Sequence, residues 1–372
     1  MEKLFDRRLF RHFDYLLLLT IFTIMLVSLL VIFSTTRYNL TGDPFYYMKR
    51  QAIWFGVSLS VMFVITSIDY TQFYKISPFI YGLNAALLLA VIFLGKEGGG
   101  AQRWIDLKFF NLQPSEFAKL IIIITLARHL AAREGYFESA LSVIPAFLHV
   151  AVPIGLIFLQ PDLGTSIVFI AILFGMLYMA GAKFRHLFSY AAAGVVVGFP
   201  LLWFNLKDYQ RLRLIVFMNP EVDKLGSGYQ IIQSMIAVGS GGLWGKGLFS
   251  LGTQNELLFL SEHHTDFIFS ALAEETGFIG GVILILLFTL LIFRVLRIAV
   301  NAKDTYGMLI CIGVATMLTF QVLINIGMTI GMMPVTGLPL PFMSYGGSSL
   351  LMNMMAMGVV LGIGMRRHKL MF

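Results

Sequence analysis

Asp266 stands in Leu260-Ser261-Glu262-His263-His264-Thr265-Asp266-Phe267, in what reads as the first turn of a long apolar helix. Burial raises the pKa of a carboxyl and a nearby cation lowers it, so an acid placed there is tunable and could serve as a general base. The two histidines beside it invite a metal, but sequence neighbours face different ways on a helix, which argues against a His-ligated ion. Glu116 and Lys119, in Gln113-Pro114-Ser115-Glu116-Phe117-Ala118-Lys119, are three apart and share a helix face. That spacing suits a functional pair and equally a capped helix with an ordinary surface pair. Ser115 and Lys119 are four apart, so the Ser-x-x-Lys acylation pattern is excluded. Asp162, in Gln160-Pro161-Asp162-Leu163-Gly164-Thr165-Ser166, fits a site acid or the cap of the next helix.

Two further stretches carry backbone chemistry. Gly239-Ser240-Gly241-Gly242-Leu243-Trp244-Gly245-Lys246-Gly247 fails the Walker pattern at Ser240 and Gly247, although its glycines would let amides approach an anion. Pro334-Val335-Thr336-Gly337-Leu338-Pro339-Leu340-Pro341 and the residues to Ser349 cannot form a regular helix. Irregular backbone at membrane depth is tolerated where protein or a water-filled cavity surrounds it, so this segment reads as a re-entrant loop beside a site.

The elements that must position these residues follow from composition. The chain has 372 residues, 58% apolar and only 13% Asp, Glu, Lys or Arg, against about 25% charged in soluble domains. Mean hydropathy is +0.82. A soluble α/β enzyme, a disordered chain and a nucleic-acid-binding protein are excluded, and the net charge of +7 is a matter of topology. The single cysteine, Cys311, excludes an intrachain disulfide and a Cys-ligated metal site.

Ten apolar runs are long enough to be spans: Tyr15–Ser34, Ala52–Ile68, Pro78–Leu94, Ser115–Leu130, Val143–Leu159, Gly164–Gly181, Leu187–Phe204, Thr265–Phe293, Tyr306–Ile330 and Ser349–Met365. They are continuous rather than alternating, so membrane strands are not expected. The fold class is all-α: one polytopic transmembrane domain over residues 1–372. Lys3, Arg7, Arg8, Arg366 and Arg367 make both ends basic, which places both termini in the cytoplasm. Glu116, Lys119, Asp162, Glu262 and Asp266 then gather at the outer face. The connection Asn205–His264 is far longer than the usual 2–8 residues between packed helices. It reads as an ordered extracytoplasmic loop with an amphipathic helix at Tyr229–Val238.

These motifs occur in one order, together with Ala273-Glu274-Glu275-x-Gly277 and Leu340-Pro341-Phe342-x-Ser344-Tyr345-Gly346-Gly347-Ser348-Ser349. The set resembles the SEDS (shape, elongation, division, sporulation) family of bacterial membrane proteins over essentially the whole chain. Thr336 to Pro341 looks more like the elongation branch than the division branch. Ser261, where the family usually has Pro, and Asn219-Pro220, where Asp-Pro is common, depart from its pattern.

The resemblance implies a multi-pass inner-membrane peptidoglycan glycosyltransferase that polymerises lipid II at the outer face, for cell elongation and shape. It maps the essential aspartate onto Asp266 and other functional polar positions onto Glu116, Lys119 and Asp162. Arg50, Arg103 and Ser344 fall at matching motif positions. Inversion at the donor N-acetylmuramic acid C1 releases undecaprenyl pyrophosphate, so cations must offset its charge. Arg50, Arg103, Lys119, Arg211, Arg213 and Lys246 are the candidates, with a divalent cation such as Mg2+ or Mn2+ bridging phosphate and carboxylate. No organic cofactor or protein-ligated metal is expected. Implied partners are lipid II, undecaprenyl-pyrophosphate-linked glycan, a class B penicillin-binding protein, other elongation-complex proteins and membrane lipids, with no nucleic acid. Two rival readings remain: a lipid II flippase, which needs ionisable residues along a path to both faces, and a non-catalytic scaffold for the transpeptidase.

Overall fold

The computed structural model describes residues 12–37, 43–98, 101–106, 111–137, 139–223, 226–250, 253 and 264–366. Glu262 and His263 lie outside the described residues. The spans expected from the sequence are helical: α1 (Tyr15–Thr36), α2 (Tyr46–Ser67), α3 (Tyr70–Leu94), α4 (Pro114–Ala131), α5 (Ile144–Leu159) and α6 (Leu163–Met179). The seventh run is α7 (Phe184–Ala193) joined by a π turn, Gly194–Gly198, to α8 (Phe199–Asn205). After α9 (Asp208–Met218) and α10 (Ser227–Ser240), the last three spans are α11 (Ile268–Val300), α12 (Thr305–Thr329) and α13 (Gly347–Met365).

Among the described residues seven helical segments are long and apolar enough on their own to cross a membrane, α5 only together with the 3-10 turn Ala140–Val143 that leads into it. Of the others, α4 carries Glu116, Lys119 and Arg128 and α6 has only 17 residues. Both are shielded by neighbouring protein, which relaxes the length and polarity a span must have. Aspartates start four helices by accepting a backbone N–H: Asp14 from Leu17, Asp69 from Thr71, Asp162 from Thr165 and Asp304 from Gly307.

Several boundaries differ from the sequence reading. Helix α3 begins at Tyr70, not Pro78, and keeps that proline inside; the missing N–H is tolerated where surrounding groups compensate. Helix α2 reaches back to Tyr46 and so includes Lys49 and Arg50. Helix α9 is an addition in the long connection, and α10 extends the expected amphipathic helix at both ends. Three short antiparallel strands, β1 (Lys96–Gly98), β2 (Ala101–Asp106) and β3 (Asn111–Leu112), link α3 to α4. They lie in a connection, where backbone pairs with backbone outside the apolar runs.

Helices α12 and α13 form the centre, with 72% and 83% of their most apolar stretches buried, whereas the corresponding shares for α2, α3 and α5 are 28% or less. The central helix α12 packs on α4, α6 and α11, and α13 packs on α2. Peripheral helices turn apolar side chains such as Ile53, Phe79, Phe93 and Leu148 outward, as lipid-facing surface requires.

Helix α11 is broken at Gly277, which sits at φ 69° and ψ −167°. Here the glycine-rich stretch after α10 splices into the helix. Lys246 N and Gly247 N donate to the carbonyls of Glu274 and Glu275, each at 2.9 Å, while Phe278 N donates to Gly242 O at 2.8 Å. A Cβ on Gly277 would lie 2.3 Å from Gly245 N, so the close approach demands glycine.

Candidate active site

The start of α4 lies against the start of α6. Ser115 Oγ is 3.5 Å from Asp162 Oδ2. Asp162 also caps α6, accepting from Thr165 N at 3.2 Å and Thr165 Oγ1 at 2.9 Å. It thus fulfils the capping role and remains beside the site. The segment between α12 and α13 has no regular helix from 330 to 346, in keeping with the expected re-entrant loop. It descends onto α6, where a Cβ on Gly164 would meet Thr336 O at 2.8 Å.

Asp266 occupies the turn just ahead of α11 rather than its first helical turn, because the helix starts at Ile268. Hydrogen bonds stitch this turn to the re-entrant loop. Tyr345 N donates to His264 O at 2.9 Å and Ser344 Oγ to Thr265 O at 2.6 Å. Buried Asn325 on α12 reaches both sides, its Nδ2 donating to Asp266 O at 2.9 Å and Leu338 O at 2.8 Å. The Asp266 carboxylate lies against Gly337, where a Cβ would be 3.4 Å from Oδ2. Backbone on both flanks is therefore held, while the side chain keeps partial access to solvent.

Two guanidiniums complete this face. Arg103, from β2, donates to the carbonyls of Pro161 and Gln160 and lies 3.9 Å from Asp162 Oδ1. Arg213, from α9, reaches Val335 O at 3.4 Å and lies over the Tyr209 ring at 5.8 Å. Burial pulls the Arg213 pKa down, the Arg103 charge adds to that, and Asp266, Tyr209 and Asp162 oppose it. These charges feel one another, and an arginine remains ionised through such a shift. Arg103, Leu163, Tyr209, Arg213 and Thr336 line a small open cleft of about 50 Å³.

Glu116 and Lys119 form a fully buried ion pair, Nζ to Oε1 at 2.8 Å with side-chain exposures of 2% and 0%. The surface-pair alternative is excluded. Glu116 Oε2 is buried with no hydrogen-bond partner among the described residues, so the pair keeps unused capacity behind the Ser115–Asp162 contact.

Other candidates are placed differently. Arg50 stacks on Tyr46 and donates to its hydroxyl at 2.7 Å; neighbouring Tyr47 meets Tyr345 edge-on, and Gln51 donates to Ser344 O at 3.3 Å. The first turns of α2 therefore border the end of the re-entrant loop. Lys246 pairs with the buried Glu274 carboxylate at 2.6 Å, on the far side of two helical turns from Asp266. Arg211 donates to Trp203 O and Phe204 O, which satisfies the exposed end of α8.

Asn325 and Tyr209 are contributors that the motif reading passed over. A buried amide within an apolar span was a usable signal for Asn325. Tyr209 lies on a helix that the hydrophobic pattern did not reveal.

The starts of α4, α6 and α13 converge here with the turn ahead of α11: Gln113 N reaches Ser348 Oγ at 3.3 Å, joining α4 to α13. Converging helix N-termini present positive dipole ends, and with Arg103 and Arg213 they make a face suited to a multiply charged anion. Beside it stands one partly exposed carboxylate. Such a pairing can stabilise an anionic leaving group while accepting a proton.

Residues 13–369 match the cell cycle protein family of FtsW, RodA and SpoVE. The chain belongs to that family. It is similar to the peptidoglycan glycosyltransferase MrdB of Escherichia coli (strain K12), with 41% identity over 360 residues, covering 96% of this chain and 95% of that protein. Stage V sporulation protein E of Bacillus subtilis (strain 168) is 40% identical over 358 residues, covering 94% of each chain. Among solved structures, a chain from a peptidoglycan synthase complex that coordinates polymerisation and crosslinking is 32% identical with a TM-score of 0.80, covering 96% of this chain and 99% of that one. The Thermus thermophilus rod-shape-determining protein RodA is 30% identical with a TM-score of 0.71, covering 96% and 98%. Family membership and the multi-pass helical fold expected from the sequence are both borne out.

Proposed function

We propose that this chain is a peptidoglycan glycosyltransferase that extends glycan strands from lipid II at the outer face of the cytoplasmic membrane, with both termini in the cytoplasm. The observation that supports this best is the juxtaposition of Asp266 with Arg213 and Arg103 at converging helix N-termini.

Asp266 takes the proton from the 4-hydroxyl of the acceptor N-acetylglucosamine as that oxygen bonds to C1 of the donor N-acetylmuramic acid. The bond from C1 to the diphosphate breaks on the opposite side, which inverts the anomeric centre. The departing undecaprenyl diphosphate is received by Arg103, Arg213 and the helix N-termini, whose fixed positive ends need no reorganisation as charge develops. Hydrogen bonds through Ser344 and Asn325 hold the Asp266 backbone. Asp162 orients Arg103, and the Glu116–Lys119 pair supports the ends of α4 and α6 behind it. Arg50 borders the entrance at the end of the re-entrant loop.

No group of three or more His, Cys, Asp or Glu side chains suited to a metal occurs among the described residues. Among the described residues Asp266 is the partly exposed carboxylate at this face, and it fits a cation held mainly by substrate diphosphate oxygens and water, as Mg2+ prefers. Such an ion would neutralise the leaving diphosphate.

Kinship with a chain of a peptidoglycan synthase complex supports assembly with a crosslinking partner, a class B penicillin-binding protein. The elongation role rests on the motif around Thr336 and on kinship to RodA and MrdB.

The test is purified protein in vesicles with lipid II on the Asp266 side. A ladder of lysozyme-sensitive glycan is expected. Movement of lipid II across the bilayer without polymer would instead identify a flippase, and neither activity with intact partner binding would identify a scaffold.

A further inference from the structure

At the opposite end of α4 lies a second cavity, about 430 Å³, that the glycan chemistry leaves unused. It opens between α3 and α5 and is lined by Ser77, Tyr81, Thr125, Arg128, His129, Arg133 and His149. Arg128 is 12 positions after Glu116, about 18 Å along the helix, so this is a separate place in the molecule.

Its wall is a column of rings. Tyr81 stacks on His149 at 4.4 Å between centroids, and His149 stacks on His129 at 5.4 Å. The column is pinned by Tyr81 Oη donating to His149 O at 2.8 Å, and by Thr125 Oγ1 at 3.0 Å from His149 Nε2. Two guanidiniums stand at the rim, both resting on neutral groups: Arg128 over the Tyr74 ring at 5.0 Å, and Arg133 Nη1 at 3.1 Å from His129 Nε2. Among the described residues neither has a carboxylate within ion-pair distance. The nearest acid in sequence, Glu134, accepts a hydrogen bond from Thr305 instead. Outside the rim, Phe79, Leu148 and Val152 present apolar surface at 75%, 64% and 50% exposure.

We infer that this cavity binds the phosphate headgroup of an anionic phospholipid from the leaflet at this end of the bundle, its acyl chains lying along Phe79, Leu148 and Val152. Paired guanidiniums with no carboxylate beside them among the described residues call for an anion, and their forked donors match phosphate oxygens. A basic pocket between transmembrane helices with an apolar flank has the chemistry of a lipid headgroup site. A free phosphate or nucleotide would use the guanidiniums but gain nothing from the apolar flank.

Native mass spectrometry of the full chain in detergent tests this with phosphatidylglycerol, phosphatidylcholine and inorganic phosphate as probes. Phosphatidylglycerol adducts are expected to outlast phosphatidylcholine adducts. Arg128→Gln or Arg133→Gln should lower phosphatidylglycerol retention about five-fold each, and the double variant roughly 25-fold, with glycan polymerisation unchanged. Ala132→Trp, which fills the exposed rim and leaves both charges, should lower retention as well and serves if the arginine variants misfold. Equal retention of the two lipids, or retention unaffected by the substitutions, overturns the inference. Displacement of the lipid by millimolar inorganic phosphate overturns it in favour of a soluble phosphate site.

Discussion

Ser344 Oγ donates to the carbonyl oxygen of Thr265 at 2.6 Å and accepts from Leu340 N at 2.8 Å. One hydroxyl thus folds the re-entrant loop upon itself and clamps it to the residue preceding Asp266. Removing it strands the buried Leu340 amide, at about 1–3 kcal/mol, and takes a donor from the part-buried Thr265 carbonyl. Ser344→Ala should lower the thermal midpoint in detergent and slow polymerisation, with lipid II binding less affected than turnover. A variant equal to wild type in both would show that the loop is held by other means.

The Glu116–Lys119 pair has almost no solvent to compensate it. Breaking a buried pair from one side strands a charge, costing about 3–5 kcal/mol. Lys119→Met alone should therefore destabilise strongly, and adding Glu116→Gln should recover most of the loss. Chemical denaturation of both variants checks this; a double variant no better than Lys119→Met would mean the cost lies in packing.

Arg213 has Tyr209 beneath it and the fields of Asp266 and Asp162 around it. If it receives the leaving diphosphate, Arg213→Gln should reduce the polymerisation rate by about 10²–10³-fold, as loss of one oxyanion donor typically does. Arg213→Lys should recover only part, since a point charge replaces a planar fork. Comparison of initial rates at saturating lipid II reads this directly. Arg211→Gln, whose guanidinium is committed to the end of α8, should affect stability more than rate.

Gly277 takes a left-handed conformation and touches Gly245. Gly277→Ala brings both a backbone penalty of about 1–3 kcal/mol, since φ 69° with ψ −167° is open essentially to glycine alone, and a clash with the Gly245 and Leu243 backbone. The loop carrying Lys246 should detach from α11, measurable as faster hydrogen exchange over 242–250. Unchanged exchange there would contradict the splice.

Much of this was legible because a bilayer imposes coarse rules. Ten apolar runs became helical segments, and prolines from 334 to 341 signalled broken helix. Charges costly at membrane depth drew attention to Glu116 and Asp162, which do gather at one end, while the position of Asp266 beside them needed the loop contacts. Boundaries were less legible. Pro78 looks like a helix start, yet α3 passes through it, because tertiary neighbours decide whether a missing N–H matters. Helix α9 was hidden by its near-equal mixture of polar and apolar residues, and with it the Tyr209–Arg213 contact. Spacing alone could not tell a surface Glu116–Lys119 pair from a buried one, since an i, i+3 relation is the same in both settings. Lys246 counts by sequence among the outer cations that could meet the diphosphate, whereas in the fold it pairs with Glu274 and its neighbouring glycines admit the Glu274–Gly277 backbone.

The account depends most on Asp266 as the proton acceptor. Asp266→Asn keeps size and backbone hydrogen bonds and removes the negative charge and with it the basicity, so the variant should fold and bind lipid II. Glycan synthesis from purified lipid II should fall below detection while Asp266→Glu retains a trace. Full-length glycan made by Asp266→Asn at a rate near wild type would contradict the mechanism, whatever the protein's kinship.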